Sequence, residues 1–221
     1  MDISNVLNSR FTCRAFKHDS VSRDVLNKIF EDANRSPSWA NTQPWEIYVA
    51  SGTVLKRIRN GYLENFKGEI PPEPDVDLVK NWPETHEKRI KELGAELFKH
   101  LKITKTDEEA RKASWKRNFQ FFGALTVVYL CMDQKLGEWS MFDLGSLSQS
   151  IMLAANGIGV NSAIAINLVA YPNILRRELN IPEELSIVIG IALGYQDDGS
   201  PQNSFRSPRR PLDEVVKYCG L

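Results

Sequence analysis

Three short stretches carry residue types that can hold an anionic, planar ligand. Arg10-x-Thr12-x-Arg14 lies in a basic, extended run, Arg10-Phe11-Thr12-Cys13-Arg14-Ala15-Phe16. Alternation along it sets two guanidinium groups and a hydroxyl on one face, with Phe11, Cys13 and Ala15 on the other. Arginine offers bidentate, charge-assisted hydrogen bonds and threonine a neutral donor, which suits a phosphate; the same face also reads as a solvated edge strand guarded by charge. The second stretch is Ser36-Pro37-Ser38-Trp39-Ala40-Asn41-Thr42-Gln43-Pro44-Trp45. Trp39, Asn41 and Gln43 can present hydrogen bonds and a flat apolar surface to a heteroaromatic ring, whereas Trp45 reads as core. The third is a tail, Asn203 to Pro211, whose Arg206, Arg209 and Arg210 can supply further phosphate contacts or simply be solvated. No catalytic triad, Walker loop, G-x-G-x-x-G or H-E-x-x-H motif occurs, and His18, His86 and His100 stand alone as surface positions. Cys13, Cys131 and Cys219 are odd in number and widely spaced, which supports neither a disulfide framework nor a zinc motif.

The elements that must position these stretches follow from periodicity. A short helix over residues 2–9, capped by Asp2 or Ser4, precedes the basic run. Val25, Ile29 and Ala33 recur at helical spacing after a Ser22 cap, and Pro37 closes that region. Trp45 to Ala50 is β-branched and aromatic and reads as a strand, with Ser51 capping a helix that carries Val54, Leu55, Ile58 and Leu63. Pro71, Pro72, Pro74 and Pro83 forbid regular helix through most of residues 66–84. Residues 85–122 turn helical and charged, with a break at Ile103 to Thr106 and Thr106 as the next cap. A buried strand is centred on Thr126 to Cys131, a long helix spans residues 138–156 with Gly145 for close packing and Gly157 at its C-cap, and a second apolar strand runs from Ser186 to Gly194. Leu212 to Tyr218 closes the chain. Helices interleaved with few strands indicate an α+β fold.

The whole chain bounds the rest. Its 221 residues fit one domain, 1–221, with an insertion at about 66–115 that could form a lid or an interface. Lys+Arg (28) equals Asp+Glu (28), so there is no overall basic field to attract nucleic acid or an anionic membrane. The start, MDISNVLNSR, lacks a signal-peptide pattern, and no apolar run approaches the ~20 residues that span a bilayer. A cytoplasmic location is the expectation.

Taken jointly and in order, these segments resemble the FMN-dependent nitroreductase family, and the resemblance covers nearly the whole chain. Its carriers are Ser9 to Phe16, Pro37 to Trp45, Asp143-Leu144-Gly145, Gly194-Tyr195 and Arg209-Arg210-Pro211-Leu212; Arg117 to Gly123 is similar to a nitrobenzoate-reductase-like branch. The resemblance implies a nitroreductase-like α+β fold, a small and mostly antiparallel sheet packed between helices with a helical lid insertion, in a homodimer that binds FMN at the subunit interface. By matched position, Arg10, Thr12 and Arg14 would hold the phosphate and the pyrimidine edge of the flavin. Pro37, Ser38, Trp39 and Asn41 would reach it from the other subunit, and Arg206 and Arg209 would complete the phosphate site. In the stretch Ala163 to Asn167, a backbone N–H of Ile166 or Asn167 would approach N5. Two departures stand out: Phe11 where the family commonly has arginine, and Thr12 where it has serine. Ala165 replaces an amide side chain often found in the branch. The implied reaction is NAD(P)H-dependent reduction of a small nitroaromatic or quinone-type acceptor with ping-pong kinetics, flavin-centred, with no protein acid or base and with Arg14 as electrostatic support. Trp39, Trp82 and Trp115 are candidates for a stacking wall. Reductive dehalogenation, flavin destruction and a flavin-binding sensor without turnover are the competing readings.

Overall fold

The computed structural model describes residues 2–220. At its centre four antiparallel strands, β1 (Glu46–Ser51), β2 (Thr126–Asp133), β3 (Asn161–Ala165) and β4 (Leu185–Gly194), lie in the order β1-β2-β4-β3. β2 is buried on both faces, which explains its unbroken apolar run. Its alternation divides the core. Val127, Tyr129 and Cys131 face Leu55, Ile58 and Tyr62 of α3 (Gly52–Lys67), together with α7 (Pro172–Leu179). Val128, Leu130 and Met132 face Ile29 of α2 (Arg23–Ala33) and Leu144, Leu147 and Ile151 of α6 (Glu138–Gly157). The fully buried Tyr62 hydroxyl donates to the Leu168 carbonyl at 2.8 Å, so this interior phenol is satisfied.

The segment after α1 (Ile3–Ser9) joins the free edge of β3. Thr12 and Ser162 form a parallel bridge, and the Cys13 N–H donates to the Ser162 carbonyl at 2.9 Å. Past Arg14 the segment crosses to the end of β4, where Phe16 forms an antiparallel bridge with Gln196. The insertion begins past α3 and is rooted by Asp75. Its carboxylate accepts from both terminal nitrogens of Arg176, at 3.1 and 2.9 Å, and from the Ile187 N–H at 2.7 Å. Beyond it, α4 (Glu84–His100) buries no residue and α5 (Glu108–Phe119) buries Phe119. The last helix is α8 (Leu212–Val215). Among the described residues no helix is long and apolar enough to cross a membrane.

Several local expectations are corrected. Asp2 is the N-cap position of α1, but its side chain makes no capping bond. α5 is capped by Asp107, which accepts from the Ala110 N–H at 2.9 Å, rather than by Thr106. Gly145 packs against nothing within the chain, since a Cβ there would meet no atom within 4 Å. Gly157 is still helical, and the left-handed turn falls at Gly159, with φ of 81°. β3 escaped residue-level reading because Asn161-Ser162-Ala163-Ile164-Ala165 is short and made largely of small residues, with little strand propensity.

Candidate active site

The site grows from the end of β3. After Ala165 the chain turns through a short 3-10 segment, Ile166–Val169, in which Leu168 and Val169 are buried while Ile166 is 54% exposed. Gly190 of β4 permits this: a Cβ there would lie 2.4 Å from the Leu168 Cβ, so no larger residue lets the turn seat. Ile166 therefore projects to solvent just past the end of β3, the strand whose Ser162 bridges Thr12.

Asn203 fixes that segment. It is buried, and its Oδ1 accepts from the Arg14 and Ala15 N–H groups at 2.8 and 3.2 Å while its Nδ2 donates to the Ala15 and Asp197 carbonyls at 2.7 and 2.9 Å. One amide side chain thus locks the arginine-bearing strand to the tail. Arg117 of α5 adds a bond from Nη2 to the Arg14 carbonyl at 2.8 Å. Burial pulls the Arg14 guanidinium below its ordinary pKa, and it has no carboxylate partner among the described residues. Burial, and then the nearby charge of Arg209, lowers Arg10 in the same way. Two guanidinium groups that repel one another are held together here, an arrangement that an anion between them would relieve.

Arg206 is placed by a residue that the family pattern does not lead one to expect. Its guanidinium lies 3.7 Å above the Phe11 ring, and its Nη1 donates to the Asn203 and Phe205 carbonyls at 2.6 and 3.0 Å. Phe11 replaces a charge with a platform that holds another charge. Arg209 Nη1 donates to the Ser207 carbonyl and hydroxyl, at 3.1 and 2.9 Å.

Pro37, Ser38, Trp39 and Asn41 do not join this group within the chain. Their loop hangs on the first half of α6, where the buried Asp143 accepts from the Trp39 N–H at 3.1 Å. The basic segment is tied to the far end of α6, where the Asn156 amide donates to the Val6 carbonyl and the Ser9 hydroxyl at 3.0 and 2.8 Å. Thirteen helical residues separate these anchors, about 20 Å. The loop is strained but braced: Ala40, Asn41 and Gln43 have φ of 48°, 57° and 46°, and the Ser38 hydroxyl accepts from the Gln43 N–H at 2.9 Å. Trp39 stands 71% exposed.

Cys13 is buried, its Sγ donates to the Ala15 carbonyl, and burial raises its pKa to about 11, which keeps it a thiol. Site chemistry is thus positive charge, backbone donors and flat apolar surface. Asn203, Arg117 and Asp143 carry this geometry without having been assigned roles from sequence. Their signals were proximity to the tail, to the Arg117 to Gly123 stretch and to Asp143-Leu144-Gly145, but a positioning role depends on contacts across up to 189 residues of chain.

The family model described as the Nitroreductase family matches residues 7–195. The chain is 30% identical to nitrobenzene nitroreductase of Ectopseudomonas oleovorans, over 98% of this chain and 96% of that protein. It is 29% identical to 4-nitrobenzoate reductase of Pseudomonas putida, over 100% of this chain and 96% of that one. Among solved structures, the FMN- and NADPH-dependent nitroreductase NfnB of Sphigopyxis sp. strain HMH superposes with a TM-score of 0.95 at 28% identity, over 100% of both chains. The FMN-dependent NfnB of Mycobacterium smegmatis, solved in complex with NADPH, gives a TM-score of 0.92 at 27% identity, covering 98% of this chain and 97% of that one.

Proposed function

The chain belongs to the nitroreductase family, and from that premise we propose that it is an FMN-dependent oxidoreductase that spends NAD(P)H on reducing nitroaromatic compounds, with quinones as further acceptors. The observation that carries this is the gathering of Arg10, Arg14, Arg206 and Arg209 without carboxylate partners around Phe11 and Asn203, on the segment that bridges β3. The residues fit FMN: the repelling pair Arg10 and Arg209 suits a phosphate, while Ile166 and the half-buried Arg14 suit a ring system with one face apolar and one edge anionic.

In this reading Arg10, Thr12, Arg206 and Arg209 bind the phosphate, and Arg14 faces the pyrimidine edge. The backbone N–H of Ile166 or Asn167 would be a donor toward the flavin ring. Bound FMN would supply the two-electron chemistry between a reduced nicotinamide and the acceptor. Arg14 stabilises negative charge at the pyrimidine edge; it is preorganised by Asn203 and Arg117, so little rearrangement is needed as charge develops. Donor and acceptor would use one site in turn, and ping-pong kinetics are the expected outcome.

A homodimer completes the site. Pro37, Ser38, Trp39 and Asn41 of one subunit would close over the flavin of its partner, because their own basic segment lies about 20 Å away along α6. Trp139 and Phe142, 73% and 72% exposed on the same half of α6, support an interface there. The test is the purified protein itself: a flavin spectrum, FMN released on denaturation, and bleaching by NADPH or NADH under anaerobic conditions. Colourless protein that does not take up added FMN would refute the assignment.

A further inference from the structure

A second cationic site adjoins the first. Between α4, α5 and the Arg14 segment lies a cleft of about 560 Å³, lined by Arg14, Phe98, Arg111, Lys112, Trp115 and Arg117 among others, with no carboxylate in its wall. None of those four cations forms an ion pair among the described residues, whereas Lys88 and Lys91 of α4, which do not line this cleft, pair with Glu92 and Glu87. Gathering four positive groups around a partly enclosed, apolar-floored space is unfavourable on its own and is offset by a polyanion.

The cleft also selects for shape. The Arg111 guanidinium lies 4.8 Å over the Phe98 ring, and Trp115 meets Phe119 edge-on at 6.2 Å while remaining 53% exposed. Indole and guanidinium together make a surface on which a heteroaromatic base stacks. Location decides which ligand this serves. Arg14 belongs both to the flavin site and to the cleft, so the cleft opens at the edge of that site and extends away from it under the insertion. A small acceptor spends its whole length over the flavin. The dinucleotide donor does not: with its nicotinamide over the flavin, its adenosine end must lie beyond.

We propose that this cleft holds the 2′-phosphoadenosine end of NADPH, with Arg111 and Lys112 on the 2′-phosphate and Trp115 against the adenine. The assignment rests on the flavoenzyme reading above and makes the chain selective for NADPH over NADH. A phosphomonoester carries close to two negative charges at neutral pH, enough to engage both cations at once.

The test uses the FMN-loaded enzyme and the double variant Arg111→Ala/Lys112→Ala, whose fold is checked by its melting temperature and flavin content. The KM for NADPH rises by at least about tenfold, while the KM for NADH and kcat with either donor stay unchanged. An equal rise for both donors, or none, overturns the proposal. A rise confined to 4-nitrobenzoate, with nitrobenzene unaffected, makes the cleft an acceptor site and equally overturns it. Calorimetry with adenosine 2′-monophosphate separates this inference from the parent reading: the loaded wild type binds it and the double variant does not. If the probe binds but neither nucleotide bleaches the flavin, the cleft stands and the reductase reading falls. If the loaded wild type does not bind the probe, the cleft assignment falls.

Discussion

At the scale of single residues, the site depends on two side chains of different kinds. Arg14 contributes charge. Removing one preorganised donor from a comparable electrostatic site costs about 2.7–4 kcal/mol, so Arg14→Ala is expected to slow flavin reduction by two to three orders of magnitude or to lose FMN on dilution, read by stopped-flow absorbance and flavin content. Asn203 contributes geometry. Asn203→Ala leaves the Arg14 and Ala15 N–H groups without partners in a buried setting, while the Ala15 and Asp197 carbonyls keep the Asp197 and Ser200 N–H donors, for a loss of about 2–3 kcal/mol in urea denaturation and weaker FMN binding, although Asn203 need not touch the flavin. The arginines were legible in sequence because Arg-x-Thr-x-Arg declares its own face through alternation. Asn203 was not, because a buried asparagine and a turn asparagine look alike until their partners are known. The thiols make a third check. Burial raises Cys13 to about 11 and Cys131 to about 12, while Cys219 is exposed. Native protein at neutral pH is expected to give one fast-reacting thiol with a disulfide reagent and three only after unfolding.

At the scale of elements, the turn Ile166–Val169 and the root of the insertion place the site. Gly190→Ala would drive a methyl group into Leu168, and the turn must move away. We expect a loss of about 1–3 kcal/mol in stability together with an altered flavin spectrum, a pairing that a remote core lesion would not produce. Asp75 ties residues 68–83 to Arg176 and β4; Arg176 is 8% exposed and would be left with the solvent-facing Glu183 as its one carboxylate among the described residues, beside the Leu185 carbonyl. Asp75→Ala should cost about 3 kcal/mol and loosen the insertion, seen as faster amide exchange across α4 and α5. The strong elements, α2, β2, α6 and β4, were readable because their apolar patterns carry the core. β3, which borders the site, was not, because its strand character comes from pairing with β4 and the Thr12 segment rather than from its own residues. Pro71 to Pro83 announced an irregular segment, but not that Asp75 anchors it.

At the scale of the whole molecule, α6 holds the two halves of the proposed site apart within one chain. Its exposed aromatic face next to the Trp39 loop gives a second copy somewhere to dock. Gly145, with open space where a Cβ would go, lies on that helix one turn beyond Phe142. Phe142→Glu is expected to weaken dimerisation by about 2 kcal/mol or more and to release FMN in step, measured by analytical ultracentrifugation followed at both protein and flavin wavelengths. Dimer loss with full retention of flavin would place the cofactor within one chain. Flavin bound by this chain is expected to take electrons from a reduced nicotinamide and give them to a nitro group. An anaerobic double-mixing experiment measures it directly: NADPH is mixed with FMN-loaded protein, the flavin absorbance is followed, and 4-nitrobenzoate is then added. Bleaching by the first and recovery by the second, each first-order in its own substrate, is the expected result. Flavin that stays oxidised with both NADPH and NADH, or that bleaches and does not recover with any nitroaromatic, would contradict it.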